Sequence, residues 1–235
     1  MYKMSYKVTT SFCGSDGKMK LYSALQMMQD CSELWMYESE PAVRKFFDDN
    51  NMAQLLASRQ VEIIREPEFR EELTVTTLVY EMKPVYGYRN TFIYDAKGNP
   101  CYKTWSMGAF VDKSTGKLKR IDEDAMSTLL LEPKLEMNYK DRHITLPKTD
   151  GETLESIKVQ RADIDYNKHL NNANYIRMAM ELLPEDFKVK EMRVEYRTPA
   201  KLYDILTPKM FKTENSIIIS MAKDGNICAN IEFYN

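Results

Sequence analysis

The sequence predicts an α+β fold in which an antiparallel sheet wraps one long helix, and in which that arrangement is built twice in tandem. Three observations carry this. A stretch of helical period precedes a series of strand-like runs, the runs are separated by hairpin-type turns, and the same order returns after a break near Leu146 to Glu155.

The first helix is read from Leu21, Leu25, Met28, Cys31, Leu34 and Trp35, which recur at three- and four-residue steps with Gln29, Asp30 and Glu33 on the other face. A shorter helical stretch follows around Val43 to Phe47, after Pro41. Strands are expected at Gln60–Arg65, Glu72–Glu81, Tyr88–Tyr94 and Lys103–Val111, with a hairpin turn at Asp95–Asn99. Pro147, Thr149, Asp150 and Gly151 then cluster without apolar period, which places a linker at residues 146–155 between a first domain at 1–145 and a second at 156–235. In the second half Lys158–Arg161 is a candidate strand. A helical face follows at Tyr175, Met178, Ala179 and Leu182, with Pro184 ending it. Strands come after it at Glu191–Arg197, Asp204–Lys212, Ser216–Ala222 and Ile227–Phe233, the last two joined by an Asp224-Gly225 turn.

Composition narrows the function. With 235 residues, 43% hydrophobic and 29% charged, the chain can bury a sizeable core without disulfides or a structural metal. A net charge of −2 gives no global attraction to nucleic acid or to an anionic membrane, so an acidic partner would need a local basic patch, for which Lys117, Lys119 and Arg120 are one candidate. The opening residues resemble neither a signal nor a transit peptide, and no apolar run is long enough for a membrane span. Cys13, Cys31, Cys101 and Cys228 are scattered, which suits reduced thiols in a cytoplasmic setting. With only two histidines, no metal site is expected.

One segment concentrates chemistry. Asp163, Asp165, Asn167, His169, Asn171 and Asn172 fall within ten positions just before the second helix. Asp165, Asn167 and His169 alternate, so in an extended loop their side chains would face one space. Asn171 and Asn172 are N-cap types, and a helix start offers unpaired N–H groups and a positive dipole end. Fixed donors aimed at developing negative charge are the parts needed to stabilise an oxyanion, and an imidazole nearby can move protons near neutral pH. The competing reading makes the Asp and Asn residues turn and cap formers and His169 a satisfied polar residue.

The run from Asp163 to Tyr175 has the form D-x-D-x-N-x-H-x-N-N-x-x-Y and resembles the active-site motif of the acyl-ACP thioesterases of bacteria and plants. The resemblance extends over nearly the whole chain. Leu21 to Leu25 with Gln29-Asp30 is similar to that family's first helix. Ser58-Arg59, Pro67, Arg89, Gly98, Thr104 to Ser106, Asp112, Thr115 and Arg120 match further elements, and Glu195 to Arg197 its E-Y-R strand. The resemblance implies two tandem hotdog domains, an acyl-chain pocket between helix and sheet of the first, and catalytic groups in the second. Asp165, Asn167 and His169 correspond to the motif's catalytic Asp, Asn and His, with Asp163, Asn171 and Asn172 supporting the loop and the oxyanion. It implies no cofactor, since the substrate carries its own phosphopantetheine, and acyl carrier protein with a bound acyl chain as partner. It leaves a homodimer open. The chain departs from the pattern after the E-Y-R strand. Where plant members carry a Glu–Cys pair assigned catalytic roles, it has Pro199 and Ala200. Cleavage of acyl-CoA, acyl binding without catalysis, and hydratase chemistry are the other activities the same fold would host.

Overall fold

The computed structural model describes residues 1–122, 124 and 130–235. They form two compact units. The first comprises Met1–Ala57 and Val61–Tyr139, the second Ser58–Gln60 and Lys140–Asn235.

In the first unit the strands β1 (Tyr2–Lys7), β2 (Met52–Ile63), β3 (Glu72–Lys83), β4 (Tyr86–Asp95) and β5 (Pro100–Asp112) make a sheet in the order β1-β3-β4-β5-β2. Helix α1 (Leu21–Glu38) lies on it, burying Leu21, Leu25, Met28, Cys31 and Trp35 of the stripe that the periodicity marks and leaving its Leu34 half-buried. Helix α2 (Pro41–Asp49) follows, with Pro41 in its first turn, where a missing N–H costs nothing. β1 was not expected from the sequence. Its residues alternate between half-buried and exposed, as an edge strand's do, and carry little apolar signal. β2 begins at Met52, well before the expected Gln60, because the polar Gln54 and Ser58 interrupt its apolar pattern.

In the second unit β6 (Glu152–Thr153), β8 (Glu191–Tyr196), β9 (Ile205–Lys212), β10 (Ser216–Lys223) and β11 (Asn226–Tyr234) run in the order β8-β11-β10-β9-β6, and β7 (Ile157–Lys158) also pairs with β9. Asp224 (φ 48°) and Gly225 (φ 77°) join β10 to β11 with both central residues left-handed, as a two-residue hairpin of this hand requires. Helix α3 (Asn172–Met180) has nine residues against eighteen in α1. It stops short of the Leu182 and Pro184 expected to end it. Pro184 disfavours helical backbone at Leu183, and Leu182 and Leu183 close the helix with i→i−3 bonds instead.

The stretch expected as a linker is built into the second unit, and the contact division falls earlier, between Tyr139 and Lys140. Ile144 and Leu146 pack with Phe211 and Ile218, and β6 pairs with β9. Gly151 (φ 65°) lies so close to Phe211 that a Cβ there would stand 2.6 Å from the ring. Turn-rich composition hides this packing, because a single strap residue against a sheet leaves no period to read. Among the described residues no helix is long and apolar enough to cross a membrane.

Gly151→Ala is therefore expected to lower unfolding stability by about 1–3 kcal/mol, through left-handed strain and overpacking together. Urea denaturation measures it, and a neutral result would mean that the strap is not held against Phe211.

Candidate active site in the second unit

The motif segment is a compact turn, not the extended loop that alternation would require. The 3-10 turn Arg161–Asp163 leads into a bridge between Ile164 and Leu170. Between them Asp165 N donates to His169 O (2.9 Å) and Lys168 N to Asp165 O (3.0 Å). Lys168 sits at φ 63°. The grouping of Asp165, Asn167 and His169 thus comes from a closed turn, and alternation of side chains along a strand does not describe it.

The turn is anchored by Asp163, which is buried. Its Oδ2 accepts the Gln160 N–H (2.8 Å) and its Oδ1 the Arg177 guanidinium (2.7 Å). Its carbonyl accepts Asn171 N (2.9 Å) and Asn174 Nδ2 (3.0 Å). Asn171 caps α3 by accepting Ala173 N–H at its Oδ1 (2.9 Å). Asp165 Oδ1 accepts the backbone N–H of Asn167 (2.9 Å) and of His169 (3.4 Å), so its carboxylate fastens the main chain of the turn. Among the described residues, the side chains of Asn167 and His169, the Oδ2 of Asp165 and the N–H of Asn172 have no hydrogen-bond partner. Asn167 is exposed, and Asp165, His169 and Asn172 are half-buried.

The segment that replaces the Glu–Cys pair lies directly against this turn. Ala200 is fully buried, its carbonyl accepting Leu170 N (2.9 Å) and its N–H donating to Tyr175 Oη (2.9 Å). Pro199 is exposed beside it. Tyr175, the last residue of the motif, therefore holds the 198–200 segment in place, a role the sequence did not suggest.

Two other carboxylates, Glu195 and Asp204, lie in the same stretch. On β8, Tyr196 faces α3: its hydroxyl donates to Asn172 O (2.8 Å) and its ring meets Tyr175 edge-on. Successive strand residues face opposite sides, so Glu195 points to the other face of the sheet. There it meets His143 Nδ1 (3.0 Å), Ile144 N–H (3.2 Å) and the Arg197 guanidinium (3.2 Å). Burial pushes its carboxyl up, but the Arg197, Ile144 and His143 contacts outweigh this and hold it below the usual range. Asp204 pairs with Lys223 (2.8 Å) and accepts Lys201 N–H (2.8 Å). Burial pushes the thiols of Cys31 and Cys101 up to about 11 and raises that of Cys228, so none of these is poised as a nucleophile.

The first unit contains the same turn without the chemistry. Cys13 bridges Met19, Gly14 N donates to Lys18 O (2.8 Å), Gly17 N to Gly14 O (3.1 Å) and Lys20 N to Phe12 O (2.9 Å). Its left-handed position is Gly17 (φ 78°), where the second unit has Lys168. Gly14, Asp16 and Lys18 stand where the second turn has Asp165, Asn167 and His169. What the first unit has instead is a partly open pocket between α1, α2 and the sheet. Trp35, Val43, Phe47, Val79, Met82 and Phe110 line it, with Gln54 and Arg89 as polar members. Gly87 and Gly108 pair across β4 and β5, and their missing side chains leave the space that Gln54 occupies. Isolated glycines within strand patterns are a signal in the sequence that could have marked this close approach, and the strand reading passed over it.

A doubled helix-on-sheet fold with a polar turn before the second helix defines a class, and comparison with known proteins gives it a name. Residues 1–129 match the family model of the acyl-ACP thioesterase N-terminal domain, and residues 147–231 that of the C-terminal domain. The chain belongs to the acyl-ACP thioesterase family. It is 23% identical over 164 residues to oleoyl-acyl carrier protein thioesterase 2, chloroplastic, of Arabidopsis thaliana, covering 64% of this chain and 45% of that one. It is 22% identical over 224 residues to a chloroplastic acyl-[acyl-carrier-protein] hydrolase of Cuphea viscosissima, covering 87% and 53%. The chain spans about half the length of the curated relatives it matches. The fold is shared with a crystal structure of an acyl-ACP thioesterase from Bacteroides thetaiotaomicron (TM-score 0.85, 16% identity, 99% of this chain and 96% of that one). It is shared equally with the 12:0-ACP thioesterase of Umbellularia californica (TM-score 0.85, 12% identity, 99% and 96%). These neighbours establish the double hotdog fold.

Two outcomes follow from this geometry. Lys168→Gly should raise stability by up to about 1 kcal/mol, since glycine adopts the left-handed region without the Cβ penalty; a loss of stability would mean that the Lys168 side chain contributes more than its backbone costs. Glu195→Gln should blunt acid denaturation, and it should leave unchanged whatever thioester hydrolysis the chain performs. Because the folded carboxyl is held below its ordinary value of 4.5, its contribution is present above that pH and lost as pH falls through the folded value. Acid titration of the variant beside the parent checks this, and a collapse of turnover would place Glu195 in the reaction.

Proposed function

We propose that this chain hydrolyses the thioester of a fatty acyl group carried on acyl carrier protein, releasing the free fatty acid and the holo-carrier. The observation that carries this is the contrast within the motif turn. Asp163, Asn171 and Asn174 are engaged in the turn's own hydrogen bonds, while the Asn167 and His169 side chains stand without partners beside the start of α3. Family membership supplies the reaction class, and the apolar cavity of the first unit supplies a pocket of the right character for an acyl chain.

The steps assign each free group a role. Asn167 Nδ2 and the Asn172 N–H donate to the thioester oxygen, where negative charge grows as water adds to the carbonyl carbon. One such donor is typically worth about 3 kcal/mol of barrier. His169 takes a proton from the attacking water. The tetrahedral intermediate then expels the pantetheine sulfur, and His169 returns the proton to that thiolate. General acid–base help of this kind contributes roughly 10²- to 10⁴-fold. Asp165 holds the turn with Oδ1 and presents Oδ2 to the attacking water, taking the place of the carboxylate that Pro199 does not provide. The reaction closes with one water consumed, a C–S bond broken, and a carboxylic acid and a thiol formed.

His169→Ala and Asn167→Ala should each lower kcat on acyl-ACP by at least about 10²-fold with the fold intact. Near-parental turnover in either folded variant would remove that residue from the mechanism. Equal kcat/KM on acyl-CoA and acyl-ACP of one chain length would make the enzyme a general acyl thioesterase.

A further inference from the structure

An exposed basic and apolar patch flanks the motif turn in the second unit, and no step of the proposed reaction uses it. Tyr203 stands at its centre, 52% exposed and held at φ 69°, a conformation costly for a bulky residue. Arg161 Nε donates to its hydroxyl (3.2 Å), and the Lys158 ammonium lies 5.2 Å above its ring. Lys158 pairs in register with Ile205, which is 48% exposed, and Leu202 is exposed beside Lys201. The patch meets the motif from both sides. Arg161 opens the 3-10 turn that ends at Asp163, and Lys201 follows Ala200, whose carbonyl holds Leu170.

The charges of this patch are only partly compensated. Among the described residues Lys158 and Arg161 form no ion pair, since Asp163 is taken by Arg177, and Lys201 has near it only Asp204, which pairs with Lys223. The basic run near Lys117 differs: Lys119 faces Asp112 (3.5 Å) and Lys113 faces Asp48 (2.9 Å). In a chain of net charge −2, a cationic surface with more positive than negative groups and with exposed aliphatic and aromatic neighbours, placed against a candidate active site, complements an acidic protein carrying the substrate.

We infer that Lys158, Arg161, Lys201 and Tyr203 form the docking surface for the acidic acyl carrier protein, seating the carrier so that its thioester reaches the turn at Asn167 and His169. This rests on the thioesterase reading above. The cations steer the carrier's acidic face into contact. Leu202, Tyr203 and Ile205 supply the apolar area that holds it once there.

The test is the triple variant Lys158→Glu/Arg161→Glu/Lys201→Glu in the full chain, read in two ways. Direct binding of holo-carrier should weaken by about 10-fold or more at low salt, and the difference should shrink as salt rises. Turnover of the matching acyl-pantetheine, which lacks the carrier surface, should stay at the parental level. Unchanged carrier binding in the triple variant overturns the inference. So does binding to phosphatidylglycerol vesicles that is tighter than to the carrier and lost in the same variant. If charge reversal prevents folding, the triple glutamine variant replaces it, with the same weakening expected and the same unchanged binding decisive against. A parent chain that binds the carrier through this patch yet releases no fatty acid would leave the docking surface standing and refute the hydrolase reading.

Discussion

The buried carboxylate of Asp163 is the constraint on which the candidate site depends. It ties the end of a 3-10 turn to Gln160 and the flank of α3 to Arg177, while its carbonyl fixes Asn171 and Asn174. A carboxylate this buried is tolerable only because both oxygens are bonded, one to a cation. The start of α3 is thereby held relative to the turn that precedes it. That fixes the position of the unpaired N–H of Asn172 at the helix start that follows the turn. Asp165 completes the job locally, stiffening the main chain under those two side chains.

The sheet of the second unit separates two kinds of polar chemistry. One face of β8 and β11 presents Met192, Val194, Tyr196, Ala229, Ile231 and Phe233, all but Tyr196 fully buried, with α3 on that side. The other presents Arg193, Glu195 and Glu232 in ion pairs and carries the strap around Ile144. The strand period alone sorts Glu195 away from the turn. The shortage of a second carboxylate near Pro199 is thus real at the level of topology, and only Asp165 is left with a free oxygen on the motif itself.

Much of this was legible in the sequence. The apolar stripes and the Val/Thr runs located α1, β3, β4, β5 and β8 to β11, because those elements bury one face and alternate. The motif residues stood out by density. What stayed hidden has physical causes. β1 and β6 are edge strands, short or half-exposed, without apolar contrast. The strap at residues 140–151 is anchored by single side chains and backbone bonds, which leave no pattern. Alternation of Asp165, Asn167 and His169 suggested a shared side chain direction, but the backbone closes into a turn with Lys168 left-handed, a reversal that no hydrophobic period could announce. The contact of Tyr175 with Ala200 joins residues twenty-five apart, and such pairings come only from the fold.

The duplicated turn has a consequence for how such a chain can diversify. Both units build the same hydrogen-bonded loop ahead of a helix, one relaxed on Gly17 and lacking the Asn–His pair, the other strained on Lys168 and carrying it. The first copy, relieved of chemistry, sits in the unit that holds the cavity. Substitutions that enlarge, shorten or polarise that cavity can therefore accumulate without disturbing the groups proposed to break the thioester. On the reaction proposed above, selection could act on what is recognised in one half and on how fast it is cleaved in the other, so that lineages would drift to new acyl chains with the reaction inherited intact.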